Sequence, residues 1–175
     1  IIEYMREFLK KEDRESFDNF WENSQKLVWI DWREYDEDII NYIEGVIQSG
    51  ELSGKSKDVD NEMGFDIFIE WKGKEYKISY PNKEGSDRDT TIKTLNKIIQ
   101  PEYEIKLFME SLVNDTLAFV PLLKSKWEEL EKEFGEEKVN YYFSKIDDES
   151  KMFDLDMDEL FEILDKRKEI KNFFD

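Results

Sequence analysis

The chain has 175 residues, 44 acidic against 26 basic for a net charge of −18, and neither Cys nor His. Its length fits one domain, and a hydrophobic share of 39% with 15% aromatics separates it from disordered acidic chains, which are poor in rings. The two missing residue types exclude disulfides, thiolate or HExxH zinc sites, iron–sulfur clusters and Ser-His-Asp catalysis, while the charge opposes direct binding to nucleic-acid phosphates.

In chain order, Ile1, Met5 and Phe8 recur at helical spacing, as do Phe17, Phe20, Trp21 and Val28. Leu27 to Ile30 reads as a short extended link. A helix is predicted over Tyr35 to Gln48, with Ile39, Ile40, Ile43, Val46 and Ile47 on one stripe and Gly50 as its left-handed cap. The polar run from Ser49 to Asn61 then predicts a linker loop, placed over 49–64.

From Phe65 the period changes. Phe65 to Trp71 and Glu75 to Tyr80, joined through Lys72-Gly73-Lys74, predict a β-hairpin that Pro81 ends. Ser86 and Asp89 resemble a capping box opening a helix through Ile92, Leu95, Ile98 and Ile99, which Pro101 stops. Tyr103 to Met109 and Thr116 to Val120 predict antiparallel strands joined through Asn114-Asp115. Ser125 and Glu128 predict a second capping box, for a helix ending at Gly135; Val139, Tyr142, Phe143 and Ile146 predict a short helix, and Leu160, Phe161 and Leu164 a last one. The sum is an α+β fold in a single domain over 1–175. A helical N-terminal part (1–50) precedes the linker and an α+β part (65–175), with an antiparallel sheet of about four strands covered on one face by helices.

No stretch reaches the ~18 apolar residues of a membrane span, so no membrane association is expected. Ile1 to Glu7 lacks the pattern of a signal peptide, which gives a cytoplasmic expectation.

The charge is concentrated in two segments. Residues 147–165 hold nine acids against Lys151, net −8, and residues 31–44 hold six against Arg33, net −5. Focused negative potential steers a basic partner, although such clusters also serve solubility. Within the first segment, Asp154, Asp156 and Asp158 begin like an EF-hand loop, but the sixth position is Glu159 instead of Gly and the twelfth is Asp165 instead of Glu. Helix-start aspartates explain them better, and no metal is expected. Beside the other segment lie Trp21, Trp29, Trp32, Tyr35 and Tyr42. Rings at helical spacing are mostly core, yet the irregular run Asp31-Trp32-Arg33-Glu34-Tyr35 mixes them with charges as interface hot spots do. The candidate partner-binding residues are therefore Asp31, Trp32, Glu34, Tyr35, Asp36, Asp38, Asp154, Asp156 and Asp158. No spacing singles out a catalytic carboxylate pair, and there is no GxGxxG or Walker loop, so no enzyme activity and no cofactor are expected. Arg88, between Asp87 and Asp89, is the one position to watch for carboxylate chemistry, though helix capping explains that trio more simply.

Several middle segments carry a resemblance. They are Gly73-Lys74-Glu75-Tyr76, the run Gly85 to Ile92 with Leu95-Asn96, Pro101 to Ile105, Asp115 to Leu122, and Trp127. In this order they resemble small acidic immunity proteins encoded beside bacterial polymorphic or contact-dependent toxins, over about Gly64 to Ile146. The resemblance implies a binding protein that neutralises one cognate toxin, and it transfers no defined functional residues. A nuclease toxin must be basic to hold phosphates, so an acidic inhibitor can occupy its cleft. The alternative is an acidic nucleic-acid mimic or regulator that binds a DNA-binding protein. The hundred-odd residues between the acidic segments speak against a continuous mimic face. A carboxylate enzyme is the third possibility and would need a concave site with converging acids.

Overall fold

A computed structural model describes residues 2–174, with side chains through residue 171; Ile1, assigned to the first helical stripe, lies outside the described residues. The fold is α+β, with two antiparallel sheets and helices between and around them. The N-terminal part is helical as expected, with α1 (Glu3–Lys11) and α2 (Arg14–Asn23). Asp13 starts α2 by accepting the Ser16 N–H at 2.9 Å.

Four strands form the central sheet, in the order β1 (Val28–Asp31), β6 (Thr116–Leu123), β5 (Tyr103–Phe108) and β7 (Phe143–Lys145). The extended link is thus an edge strand, pairing Val28 with Phe119 and Asp31 with Thr116. Both faces of this sheet are buried, where one covered face was expected. Ile30, Ile105, Leu107, Leu117 and Phe119 point into one core. Trp29, Phe108, Ala118, Val120, Leu122 and Phe143 point into another, which they share with α1, α2, α5 (Lys124–Phe134) and α6 (Glu136–Tyr142). A strand buried on both sides reads as an unbroken apolar run, as Leu117 to Leu122 does.

The first core is completed by α3 (Asp36–Ile47), α4 (Arg88–Ile99) and a second sheet of β2 (Leu52–Asp58), β3 (Phe65–Trp71) and β4 (Lys74–Lys77). The predicted hairpin is β3–β4, pairing Trp71 with Lys74. The predicted linker is not a loop throughout: β2 occupies Leu52–Asp58 of it and pairs with β3 from Leu52–Trp71 to Asp58–Phe65. Only Leu52 of this edge strand is buried, so it carries no hydrophobic alternation. Ion pairs Lys55–Glu70 (2.8 Å) and Lys57–Glu75 (2.9 Å) hold its solvent face instead. Gly54 lets β2 lie on α3, since a Cβ there would stand 2.6 Å from the Glu37 carbonyl oxygen and 2.8 Å from Ile40 Cβ. The Asn41 carboxamide brackets the crossing, accepting the Gly54 N–H at 3.0 Å and donating to its carbonyl at 3.4 Å.

Several local expectations are corrected. The left-handed cap of α3 is Gln48, and the Glu44 carboxylate takes up the Gly50 N–H at 2.7 Å. Helix α4 is capped by Asp87, whose carboxylate accepts the Thr90 N–H at 2.7 Å, while Ser86 accepts from Arg88. Helix α5 runs straight off β6 at Lys124, so Ser125 caps nothing. Phe143 is a strand residue, because pairing with Phe108 of β5 outweighs the helical spacing of its neighbours. The last helix, α7 (Met157–Phe174), does carry a capping box. Asp156 accepts the Glu159 N–H at 2.7 Å, and Glu159 accepts the Asp156 N–H at 3.3 Å. Arg167 fastens α7 to the body through Glu110 (2.8 Å) and the Tyr141 carbonyl.

Candidate functional site: an acidic and aromatic surface at the start of α3

The residues that leave β1 make a tight turn before α3. Asp31 holds it by accepting the Arg33 N–H at 2.9 Å and pairing with its guanidinium at 3.1 and 3.0 Å. Those hydrogen bonds hold the Asp31 carboxyl below the usual carboxylate range. With its backbone closed inward, the turn turns its rings outward: Trp32 is 60% exposed and Tyr35 70%. Arg33 lies over the Trp32 ring at 5.6 Å. Tyr42, one helical face along, is also exposed and donates to Glu34 at 3.1 Å, which raises its phenol above the ordinary range.

Trp21 and Trp29 are elsewhere. Their rings meet at 4.5 Å and pack against the α1–α2 core. Of the five candidate rings, Trp32, Tyr35 and Tyr42 therefore form the exposed set. Val113, in the turn between β5 and β6, is 69% exposed at the same end of the central sheet, where Asp31 pairs with Thr116.

Asp36 does not belong to the open surface. It is 3% exposed and receives Arg88 Nε at 3.0 Å, an Arg88 Nη at 2.5 Å and the Thr91 hydroxyl at 2.5 Å. With the Thr91 proton committed to Asp36, the Tyr80 hydroxyl donates to Thr91 Oγ1 at 2.7 Å. Burial and the nearby Asp36 charge push the Tyr80 phenol well up from its ordinary value. The remaining Arg88 Nη donates to the Trp32 carbonyl at 2.8 Å, so the same guanidinium fixes both the start of α3 and the aromatic turn.

Three consecutive side chains thus serve three elements: Asp87 caps α4, Arg88 grips the start of α3, and Asp89 reaches the other acidic segment. Buried Asp89 accepts the backbone N–H groups of Met152, Phe153 and Asp154 at 3.0, 2.8 and 3.3 Å. The helix-capping account of the trio holds for Asp87 alone. Asp154 is exposed, yet partial desolvation and the charges of Asp89 and Asp87 raise its carboxyl above the usual range. Asp156 is engaged in the α7 cap, and Asp158 is exposed in the first turn of that helix. The two acidic segments, distant in sequence, are therefore anchored to neighbouring residues of the first turn of α4.

Much of the charge of the segment 31–44 is spent internally: Asp31 on Arg33 and Asp36 on Arg88 at the start of α3, and Glu44 on Ser49 and Gly50 at its far end. Glu34, Glu37 and Asp38 face no cation within ion-pair distance among the described residues. The sequence candidates include Glu34 and Asp38; Glu37 is counted in the acidic segment but not among the candidates, and Asp58 is missed because β2 reads as a loop. Among the described residues no group of three or more Asp or Glu side chains is arranged to hold a metal ion. None of their buried side-chain polar atoms lacks a hydrogen-bond partner. No described helix is long and apolar enough to cross a membrane. Comparisons of the chain with models of known protein families, with curated proteins and with solved structures find no match.

Proposed function

We propose that this protein is a binding protein and not an enzyme, and that it neutralises a basic protein toxin in the manner of the immunity proteins it resembles. The observation that carries this reading is the pair of outward rings, Trp32 and Tyr35, bordered by the carboxylates Glu34, Glu37 and Asp38, which have no ion-pair partner among the described residues. Burying a large ring supplies binding energy, and a rim of one charge sign steers an oppositely charged partner. The buried charged groups Asp36, Asp89, Lys106 and Arg167 are each taken up by structural partners, which leaves no idle buried charged group for chemistry among the described residues. The partner expected from the resemblance is the product of the reading frame immediately upstream. Co-expression with that product tests the reading: the wild-type chain restores growth and co-elutes with it, and Trp32→Ala or Asp38→Lys weakens both effects. Unchanged protection and co-elution by both variants would contradict it.

A second reading, an acidic mimic that binds a DNA-binding protein, gains support from the anchoring of both acidic segments at the start of α4. It expects inhibition of several unrelated DNA-binding enzymes, whereas the first expects one partner only.

A further inference from the structure

Beside the aromatic turn, a cleft of about 400 Å³ opens between the start of α3, the paired ends of β2 and β3, and the entry to α4. We infer that this cleft receives an arginine side chain of the protein partner. The inference rests on the reading above and specifies what the partner inserts.

The walls supply both halves of a guanidinium site. Tyr35 and Phe65 contribute aromatic rings to the lining, and Glu34, Glu37 and Asp58 contribute acidic residues. Two guanidinium groups already stand in the wall, but neither forms an ion pair with these acids; Arg33 acts on Glu34 only at longer range. All the Arg88 contacts run inward, to Asp36, the Trp32 carbonyl and Ser86, and Arg33 is closed on Asp31. The three remaining carboxylates have no cation within ion-pair distance among the described residues, so the cleft disfavours an anion and favours a cation. The volume lies within the ~300–1,000 Å³ of small-ligand clefts, enough for one long side chain with its water.

Arginine fits better than lysine. A guanidinium is planar, stacks on rings, is more weakly hydrated than an ammonium, and carries five donors that can serve carboxylates on different walls. The site is built from β2, β3, α3 and the approach to α4, so it exists only in the folded chain.

The test uses the isotope-labelled 175-residue chain and amide NMR, with N-acetyl-arginine methylamide as probe and the lysine and norleucine analogues as controls. The arginine probe is expected to shift the amides of residues 34–37, 56–58 and 65 saturably, with weaker lysine binding and no norleucine effect. Glu37→Gln with Asp58→Asn should weaken the arginine probe about five- to tenfold while leaving the rest of the spectrum in place. Absence of saturable shifts there, equal shifts with norleucine, lysine binding as tight as arginine, or an unchanged affinity in the double variant would overturn the assignment. Trp32 and Asp38 do not line the cleft, which separates the two claims. If the probe fails but Trp32→Ala weakens toxin binding, the cleft assignment alone falls. If the probe binds and Trp32→Ala has no effect on the toxin, the broader reading falls.

Discussion

Asp36 and Arg88, 52 positions apart, meet in a two-point ion pair of 3.0 and 2.5 Å that ties the start of α3 to the start of α4. The carboxylate is buried and also takes the Thr91 hydroxyl, and the guanidinium also holds the Trp32 carbonyl. The pair is therefore the internal support of the candidate surface, while the surface itself consists of what it pushes outward.

Asp36→Asn keeps the size of the side chain but leaves the Arg88 charge largely buried without its counter-charge. Breaking such a pair costs about 3 kcal/mol, which urea unfolding would read as a lowered midpoint at unchanged slope. The exposed Asp38→Asn is expected to change stability by less than about 0.5 kcal/mol. Equal effects at the two positions would contradict the assignment of Asp36 to the interior.

Asp89→Ala removes the acceptor of three backbone N–H groups and leaves them unpaired near the core. A loss of about 3 kcal/mol is expected, on the scale of one to three for each unsatisfied group. Amide exchange should accelerate first at residues 152–154, and limited proteolysis should cut the segment before α7. Unaltered protection of those amides would show that Asp89 does not hold the segment.

Gly54→Ala places a methyl group against the Glu37 carbonyl and the Ile40 side chain, contacts of 2.6 and 2.8 Å that backbone and core must yield to. Overpacking of this kind costs about 2 kcal/mol, measurable by thermal or urea unfolding. Gly85→Ala, where a Cβ meets nothing within 4 Å, is the control expected to have little effect.

Asp154→Asn addresses a carboxyl whose folded-state affinity for its proton is raised by desolvation and by Asp89 and Asp87. A raised carboxyl destabilises the fold when ionised, and the penalty is relieved as pH falls through the folded value. The substitution should therefore raise the melting temperature at pH 7, and the gain should vanish below about pH 4, where an ordinary aspartate is protonated in the unfolded chain as well. A variant less stable than wild type at pH 7 would reverse this account.

The elements with internal periodicity were legible from the residues: the isoleucine stripe of α3, the β3–β4 hairpin and the β5–β6 pair all form near where they are predicted. Strand β2 was not, because its pairing is supplied by β3 and its outward lysines by Glu70 and Glu75, partners that local composition does not reveal. The same limit applied to the site. Trp32 and Tyr35 could be singled out by their irregular, charged context, and they are exposed. Asp36 has the same neighbours and the opposite fate, decided by Arg88 and Thr91 from a distant helix. The Arg88 trio was visible as a cluster, but its division among three elements required the fold.

The most direct test of the central claim is titration calorimetry of the chain with the upstream-encoded protein at two salt concentrations. It compares wild type, Trp32→Ala and Glu34→Lys with Asp38→Lys, leaving Asp36 intact so that folding is preserved. The account predicts a tight complex weakened by salt, an affinity loss of about thirtyfold for Trp32→Ala, and a further weakening and flatter salt dependence for the charge reversal. Binding with wild-type affinity and salt dependence by both variants would contradict it.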